Sequence, residues 1–286
     1  MRAYISYFKL RFISGLQYRT AAWAGIATQF FFGFVYIMVY SAFYESGSGS
    51  IPMDLASLSS YLWLNQALFA LVNQTYKDRE LFDLIKTGNI SYELLRPKDM
   101  YFMWFFKILG QRLANVTLRF LPLVIVTVFL PKPYNLGGPS SLSALGLFLV
   151  SLFIGTLLIT AISVFYPIVM LTTLNEKGIV NIIVVLADIL SGVVVPVPFF
   201  PRFLKIISSY LPFQYVSDLP FRLYVGNIGV MSGIKMIIIQ VVWLLILIVI
   251  GYLLIKKNLN RVEVQGGKNE IIFQFSCLTL EEWTWI

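Results

Sequence analysis

Four intervals of the chain contain no Asp, Glu, Lys or Arg: residues 20–44, 55–76, 133–175 and 236–255. About 20 apolar residues in a helix cross the hydrocarbon core of a bilayer, so each interval is long enough to cross. The apolar runs, cut where charges and prolines fall, give spans at about 20–44, 57–76, 113–130, 145–171, 178–197 and 234–255. This pattern predicts an all-α integral membrane fold with six transmembrane helices.

The segments between the spans predict the remaining elements. Residues 1–19 put Tyr4, Ile5, Phe8, Phe12 and Leu16 on one stripe flanked by Lys9, Arg11 and Arg19, the pattern of an N-terminal interfacial helix. The second span is less apolar, with Asn65, Gln66, Asn73 and Gln74 among Leu, Phe and Trp; such side chains face protein or water, either bonding between helices or lining a polar path. Residues 77–112 are too charged to cross and too long for a simple turn. Within them, Arg79 to Lys86 reads as a short helix with Leu81, Phe82, Leu84 and Ile85 as its apolar positions. Gly88 and Asn89 stop it, and a second short helix beginning near Ser91 is closed by Pro97. The third span rises from an amphipathic start around Trp104 to Ile108, with Pro122 as a kink site.

Residues 195–227 hold five of the twelve prolines, Pro196, Pro198, Pro201, Pro212 and Pro220, so no 20-residue helix runs through them. Phe203, Leu204, Ile206, Ile207, Tyr210 and Leu211 still give a short amphipathic helix between prolines, predicting outside re-entrant helices between spans five and six. Lys256 and Lys257 stop the last span, and residues 258–286 form a tail of no recognisable role. The organisation is thus 1–19 interfacial helix, 20–257 six-span domain and 258–286 tail.

Composition narrows the chemistry. With 58% hydrophobic residues, no His and a single Cys, Cys277, the chain cannot build a His-based triad, a His zinc site, an intrachain disulfide or a thiolate cage. No phosphate-cradling G-x-x-x-x-G-K-[ST] string occurs, so catalytic, cofactor and metal sites are not expected and any ATP is hydrolysed elsewhere. The net charge of +8 would suggest nucleic acid in a soluble protein. Here its placement gives topology instead: with the amino terminus inside, sixteen Lys and Arg fall on inside segments, five fall outside and Arg119 lies within a span. Both termini are therefore expected in the cytoplasm, with lipid and not nucleic acid as the surrounding partner, and the first run is read as a retained span and not a signal peptide. Arg119 and Asp188 fall near mid-span, where an ionisable group costs on the order of 2.5–3.5 kcal/mol. They either pair, jointly line a polar cavity or are satisfied separately. With Asn65, Gln66 and Asn73 they form the candidate pathway set.

The six-span frame, the loop after span two and the proline-rich segment before span six together resemble the permease subunits of the ABC type-2 transporter family, over about residues 20–257. The family's cytoplasmic loop carries an acidic residue, a Gly, a paired Leu and a Pro, matched by Glu80, Gly88, Leu94, Leu95 and Pro97. Its outside segment is matched by Pro201, Pro212, Tyr215, Asp218 and Arg222. Arg96 points to the viologen and drug exporter branch. The resemblance implies a non-catalytic subunit of the bacterial cell membrane that pairs with a second permease subunit. It also implies two separate ATPase subunits that bind ATP and Mg, docking on a coupling helix around Glu80, Leu84, Lys86, Gly88, Glu93, Leu94, Leu95, Arg96 and Pro97. A drug-like, peptide or other amphipathic cargo is the expectation. The alternatives are a lipid or glycan exporter of the same family, or an ion-coupled secondary carrier using Asp188.

Overall fold

The computed structural model describes residues 2–47, 51–90, 93, 98–173, 178 and 180–259, which are helical with no strand among them. Eleven α-helices follow one another among these residues: α1 (Arg2–Leu16), α2 (Arg19–Glu45), α3 (Leu55–Ala67), α4 (Phe69–Val72), α5 (Arg79–Lys86), α6 (Met100–Val128), α7 (Leu142–Thr173), α8 (Asn181–Leu190), α9 (Arg202–Tyr210), α10 (Asp218–Tyr224) and α11 (Val230–Leu259). Short 3-10 turns at Val197–Phe199 and Phe213–Tyr215 flank α9.

Aspartates start three of these helices. Asp54, Asp78 and Asp99 each lie just before α3, α5 and α6 and accept a backbone N–H from the first turn: Ser57 at 3.0 Å, Leu81 at 3.1 Å and Tyr101 at 3.0 Å. Each carboxylate satisfies a donor that the helix leaves without a partner. α5 stops at Gly88, whose φ of +73° is open to glycine at little cost.

Four helices are long and apolar enough to cross a bilayer: α2, α6, α7 and α11. The other two expected spans are shorter than the sequence suggests. The second is broken at Leu68 into α3 and the four-residue α4, and ends in extended backbone at Asn73. The fifth comes down to the ten-residue α8, preceded by π-helical geometry at Gly178 and Val180. Burial accounts for the break in the second. From Leu58 to Val72 only Phe69 escapes full burial, so α3 and α4 are enclosed by other helices, and their irregular backbone is shielded from lipid. The third span differs in the other direction. It begins at Met100, so the amphipathic stretch assigned to the 77–112 loop is the first half of a continuous helix that also runs through Pro122.

α3 packs between α2, α6 and α10, and α11 packs along α7. The outer surfaces are greasy: Trp23, Phe31 and Met38 on α2 and Met231, Ile238 and Leu245 on α11 are exposed, the surface a lipid-facing helix presents. α1 runs alongside the first half of α6. Tyr4 stacks on Phe106 with centroids 5.9 Å apart, and a Cβ added at Gly110 would come within 2.9 Å of the Phe8 carbonyl. A small residue there lets the two backbones approach closely. The expected interfacial stripe is therefore partly turned onto protein: Tyr4 and Phe8 face α6, while Ile5 stays exposed, as do Leu10 and Ile13 off the stripe.

Candidate functional site

At the end of the molecule carrying α1, α5 and the start of α6, four charged side chains interlock. Glu80 on α5 accepts from Arg11 Nη2 on α1 at 2.6 Å, and its second oxygen lies 3.2 Å from Lys107 Nζ on α6. Lys107 also lies 3.1 Å from Asp78 Oδ1, the carboxylate that caps α5. Lys107 is 2% exposed and Glu80 51%, so the cluster has a buried cation at its root and a solvated acid at its rim. Burial opposes the Arg11 charge, but its hydrogen bonds to Glu80 and Tyr7 outweigh this and hold the guanidinium above its ordinary pKa. Burial likewise opposes the Glu80 charge. The hydrogen bond from Arg11 and the Lys107 charge prevail and keep this carboxyl below the usual range.

Helix α5 shows two faces. Leu81, Phe82 and Ile85 are buried, with Leu84 at the margin, and α5 packs against α7. Arg79, Asp83 and Lys86 are exposed, and the exposed surface continues through Thr87, Gly88 and Asn89. Of the expected coupling residues, Glu80, Leu84, Lys86 and Gly88 lie on this element and Glu93 is half-buried beyond it. Leu94, Leu95, Arg96 and Pro97 lie outside the described residues.

Behind the cluster, fully buried Arg112 donates to the Leu71 and Asn73 carbonyls at 2.8 and 3.0 Å and to Ser163 Oγ at 2.8 Å. It ties the frayed end of α4 to α7, a role its position among inside charges did not reveal. The same helix carries a polar stripe, since Lys107, Gln111, Asn115 and Arg119 recur every four residues along α6. An open cleft of about 880 Å³ lies beside this stripe, lined by Arg11, Tyr18, Thr75 to Glu80, Lys107, Gln111 and Asn115.

The candidate pathway residues are not gathered in one cavity. Asn65 is buried and donates to the Val193 carbonyl at 2.7 Å; Gln66 is buried; Asn73 uses its side-chain oxygen to cap the backbone of Tyr76 at 3.0 Å. Arg119 lies over Gly25 of α2, where an added Cβ would meet the guanidinium at 2.5 Å. Asp188 lies at the backbone of Gln74. Among the described residues no ion pair joins Arg119 to Asp188: the guanidinium lies against α2 and the carboxylate against the backbone just after α4.

The opposite end is organised around fully buried Asp218. Its Oδ1 accepts the Val197 N–H at 3.1 Å and lies 3.1 Å from the Tyr61 hydroxyl, which also reaches the Gly192 carbonyl at 3.0 Å. Its Oδ2 pairs with Arg222 Nη1 at 3.3 Å, and Arg222 Nε donates to Asn227 Oδ1 at 2.8 Å. Asn227 in turn reaches the Pro52 carbonyl at 3.3 Å. Gly192 adopts φ +83° with an added Cβ only 2.9 Å from Asp218 Cβ, so this turn accepts no side chain without strain. Pro201 starts α9 and Pro212 starts the next 3-10 turn, while Tyr215 donates to the Ser209 carbonyl at 2.9 Å. α9 keeps Phe203, Ile206, Ile207 and Tyr210 exposed along one side. Residues 195–227 thus fold as a short-helix cap pinned to α3 by a buried carboxylate.

A family model described as ABC-2 family transporter protein matches residues 30–266, most of the chain and both ends just described. The chain belongs to the ABC-2 transporter family. No curated protein and no solved structure matches it. As an ABC-2 family member it is a multi-pass membrane component of a transporter that works with ATPase subunits. The ABC-2 match starts at residue 30, so α1 and its Arg11 precede it. Tyr61, Lys107 and Gln240 were missed for a simpler reason: nothing in their immediate sequence names a partner, and only the fold supplies it. Gln240 of α11 donates to the Ser151 and Tyr215 carbonyls at 2.9 and 2.7 Å, joining α11, α7 and the cap. The four-residue polar spacing along α6 was the one signal readable in advance.

Proposed function

We propose that this chain is the permease subunit of an ATP-driven exporter. In this reading it crosses the membrane six times, the short buried α3–α4 and the short, partly exposed α8 counting as crossings, with both termini in the cytoplasm. Two such subunits, identical or related, enclose the pathway. Two ATPase subunits, which bind ATP and Mg, dock beneath on α5 and the turn after it.

One observation supports this most: α5 is both exposed and anchored. Its outer rim, Asp83, Lys86 and Thr87 to Asn89, is exposed, while Glu80 joins it to α1 and α6 and its apolar face packs on α7. A force on the rim reaches three helices at once, which is what a rigid-body switch requires. The greasy outer helices and the exposed apolar side of α9 suit an amphipathic, drug-like or peptide cargo released at the α9 end.

The test is co-expression with a cognate ATPase subunit and transport in sealed vesicles. A stable complex, ATP-dependent accumulation of cargo and loss of ATPase binding on Asp83→Lys with Lys86→Glu are expected. Ion-driven movement by the chain alone, abolished by Asp188→Asn, would replace this reading with that of a secondary carrier.

A further inference from the structure

We propose that the cleft at the junction of α1 and α2 binds the headgroup of an anionic phospholipid from the leaflet on the α5 side. Three independent features meet there.

The first is depth. The cleft is lined by Tyr18, next to Arg19 at the start of α2, and by Thr75, Tyr76 and Lys77, where the second charge-free interval ends. Charges appear along a spanning segment where hydrocarbon gives way to headgroups. Tyr18 and Trp23 are 67% and 66% exposed at this junction, and aromatic rings of this kind settle at the headgroup level. Further along the same helices the exposed side chains are apolar, as at Leu121 and Ile125 of α6, a surface suited to acyl chains.

The second is charge. Arg11, Lys77, Arg79 and Lys107 line the cleft against Asp78 and Glu80, leaving two positive charges in excess. The two acids are engaged by Arg11 and Lys107. Lys77 donates to a neutral amide, the Asn181 oxygen, and Arg79 is exposed. A phosphate between Lys77 and Arg79 would supply the missing anion without disturbing the Glu80 cluster.

The third is shape. About 880 Å³ is ample for a glycerophosphate headgroup, and Gln111 and Asn115 provide neutral donors on the back wall for its hydroxyls. The occupant sits directly behind α5, so the lipid would brace the element that the proposed ATPase grips. The inference does not depend on that role, since the depth, charge and shape of the cleft stand whatever docks on α5.

Native mass spectrometry of the full chain released from detergent tests the proposal, using phosphatidylglycerol and phosphatidylcholine of identical acyl chains. Retention of phosphatidylglycerol is expected to exceed that of phosphatidylcholine by roughly tenfold to thirtyfold, the size expected for two uncompensated cations near one anionic headgroup. The double variant Lys77→Gln, Arg79→Gln should bring the two close to parity. Exposed Arg79→Gln alone should lower the ratio severalfold without threatening the fold, and Arg79→Lys should keep it. Arg202→Gln with Lys205→Gln, an equal charge loss at the other end, should leave the ratio intact. Equal retention of both lipids overturns the proposal. So does a preference that survives the Lys77 and Arg79 changes, or one that falls equally in the Arg202 and Lys205 control. Displacement of the lipid by excess inorganic phosphate would mark a free-anion site and overturn it as well.

Discussion

The two charged clusters of this ABC-2 family member are built from similar residues in opposite settings. Around Asp218 the carboxylate is wholly enclosed, and its partners come from α3, the 3-10 turn at Val197 and α10. Around Glu80 the acid is half in solvent, and its partners are long flexible cations on α1 and α6. A buried carboxylate stripped of a partner has no water to fall back on, whereas a solvated one does. The first arrangement fixes the geometry of residues 195–227. The second can be made and broken at small cost, as suits a part that moves.

The sharpest way to break this contrast is Asp218→Ala. It would leave Arg222 and the Val197 N–H short of a partner, while Tyr61 keeps the Gly192 carbonyl, and the cost expected is about 3–5 kcal/mol. Thermal unfolding of the purified full chain in detergent should show it as a large fall in Tm or loss of folded protein. A change no larger than that of a Glu80 variant would erase the distinction. Gly192→Ala attacks the same knot through the backbone. A side chain at φ +83° facing Asp218 Cβ should cost about 1–3 kcal/mol, read in the same melt.

Glu80→Gln probes the other cluster. Lys107 keeps Asp78, and Arg11 keeps Tyr7, so the stability loss should stay below about 1 kcal/mol after solvent screening. ATP-driven transport should nevertheless fall about tenfold, because α5 would no longer be held to α1. Wild-type transport with an unchanged melt would show that the Glu80 bridge plays no part in coupling.

The smallest expected effect is the pH dependence of that bridge. The Glu80 carboxyl is held below its ordinary value in the folded state, so its contribution is complete above the unfolded pKa and is lost as pH falls through the folded one. The Tm difference between wild type and Glu80→Gln should therefore be constant from pH 7 to about 5 and shrink below about pH 4. A difference that grows on acidification would reverse the sign and refute the assignment.

Some of this was legible before the fold. Arg79–Lys86 is helical over the same residues that its apolar spacing predicted, and α9 lies between Pro201 and Pro212 as the prolines required. Such elements are set by local chemistry: an Asp to open a helix, a Gly or Pro to close it, an apolar face three to four residues apart. Asp218 and Arg222 were singled out by their resemblance to a family motif, yet nothing local named Tyr61, 157 positions away in sequence. Lys107 and Arg112 looked like topology-setting charges and are instead buried braces.

The sequence by itself determined that the chain lives in a membrane, where its long apolar helices lie and which segments cannot cross, because hydrophobic transfer and backbone restriction act residue by residue. Only the tertiary structure decided which polar side chains meet. The enclosure of α3 and α4 made their irregular backbone affordable, and the packing set Arg119 against α2 and Asp188 against the backbone at Gln74. Burying a charge is favourable only when a specific partner arrives from elsewhere in the chain, and that depends on how the helices pack.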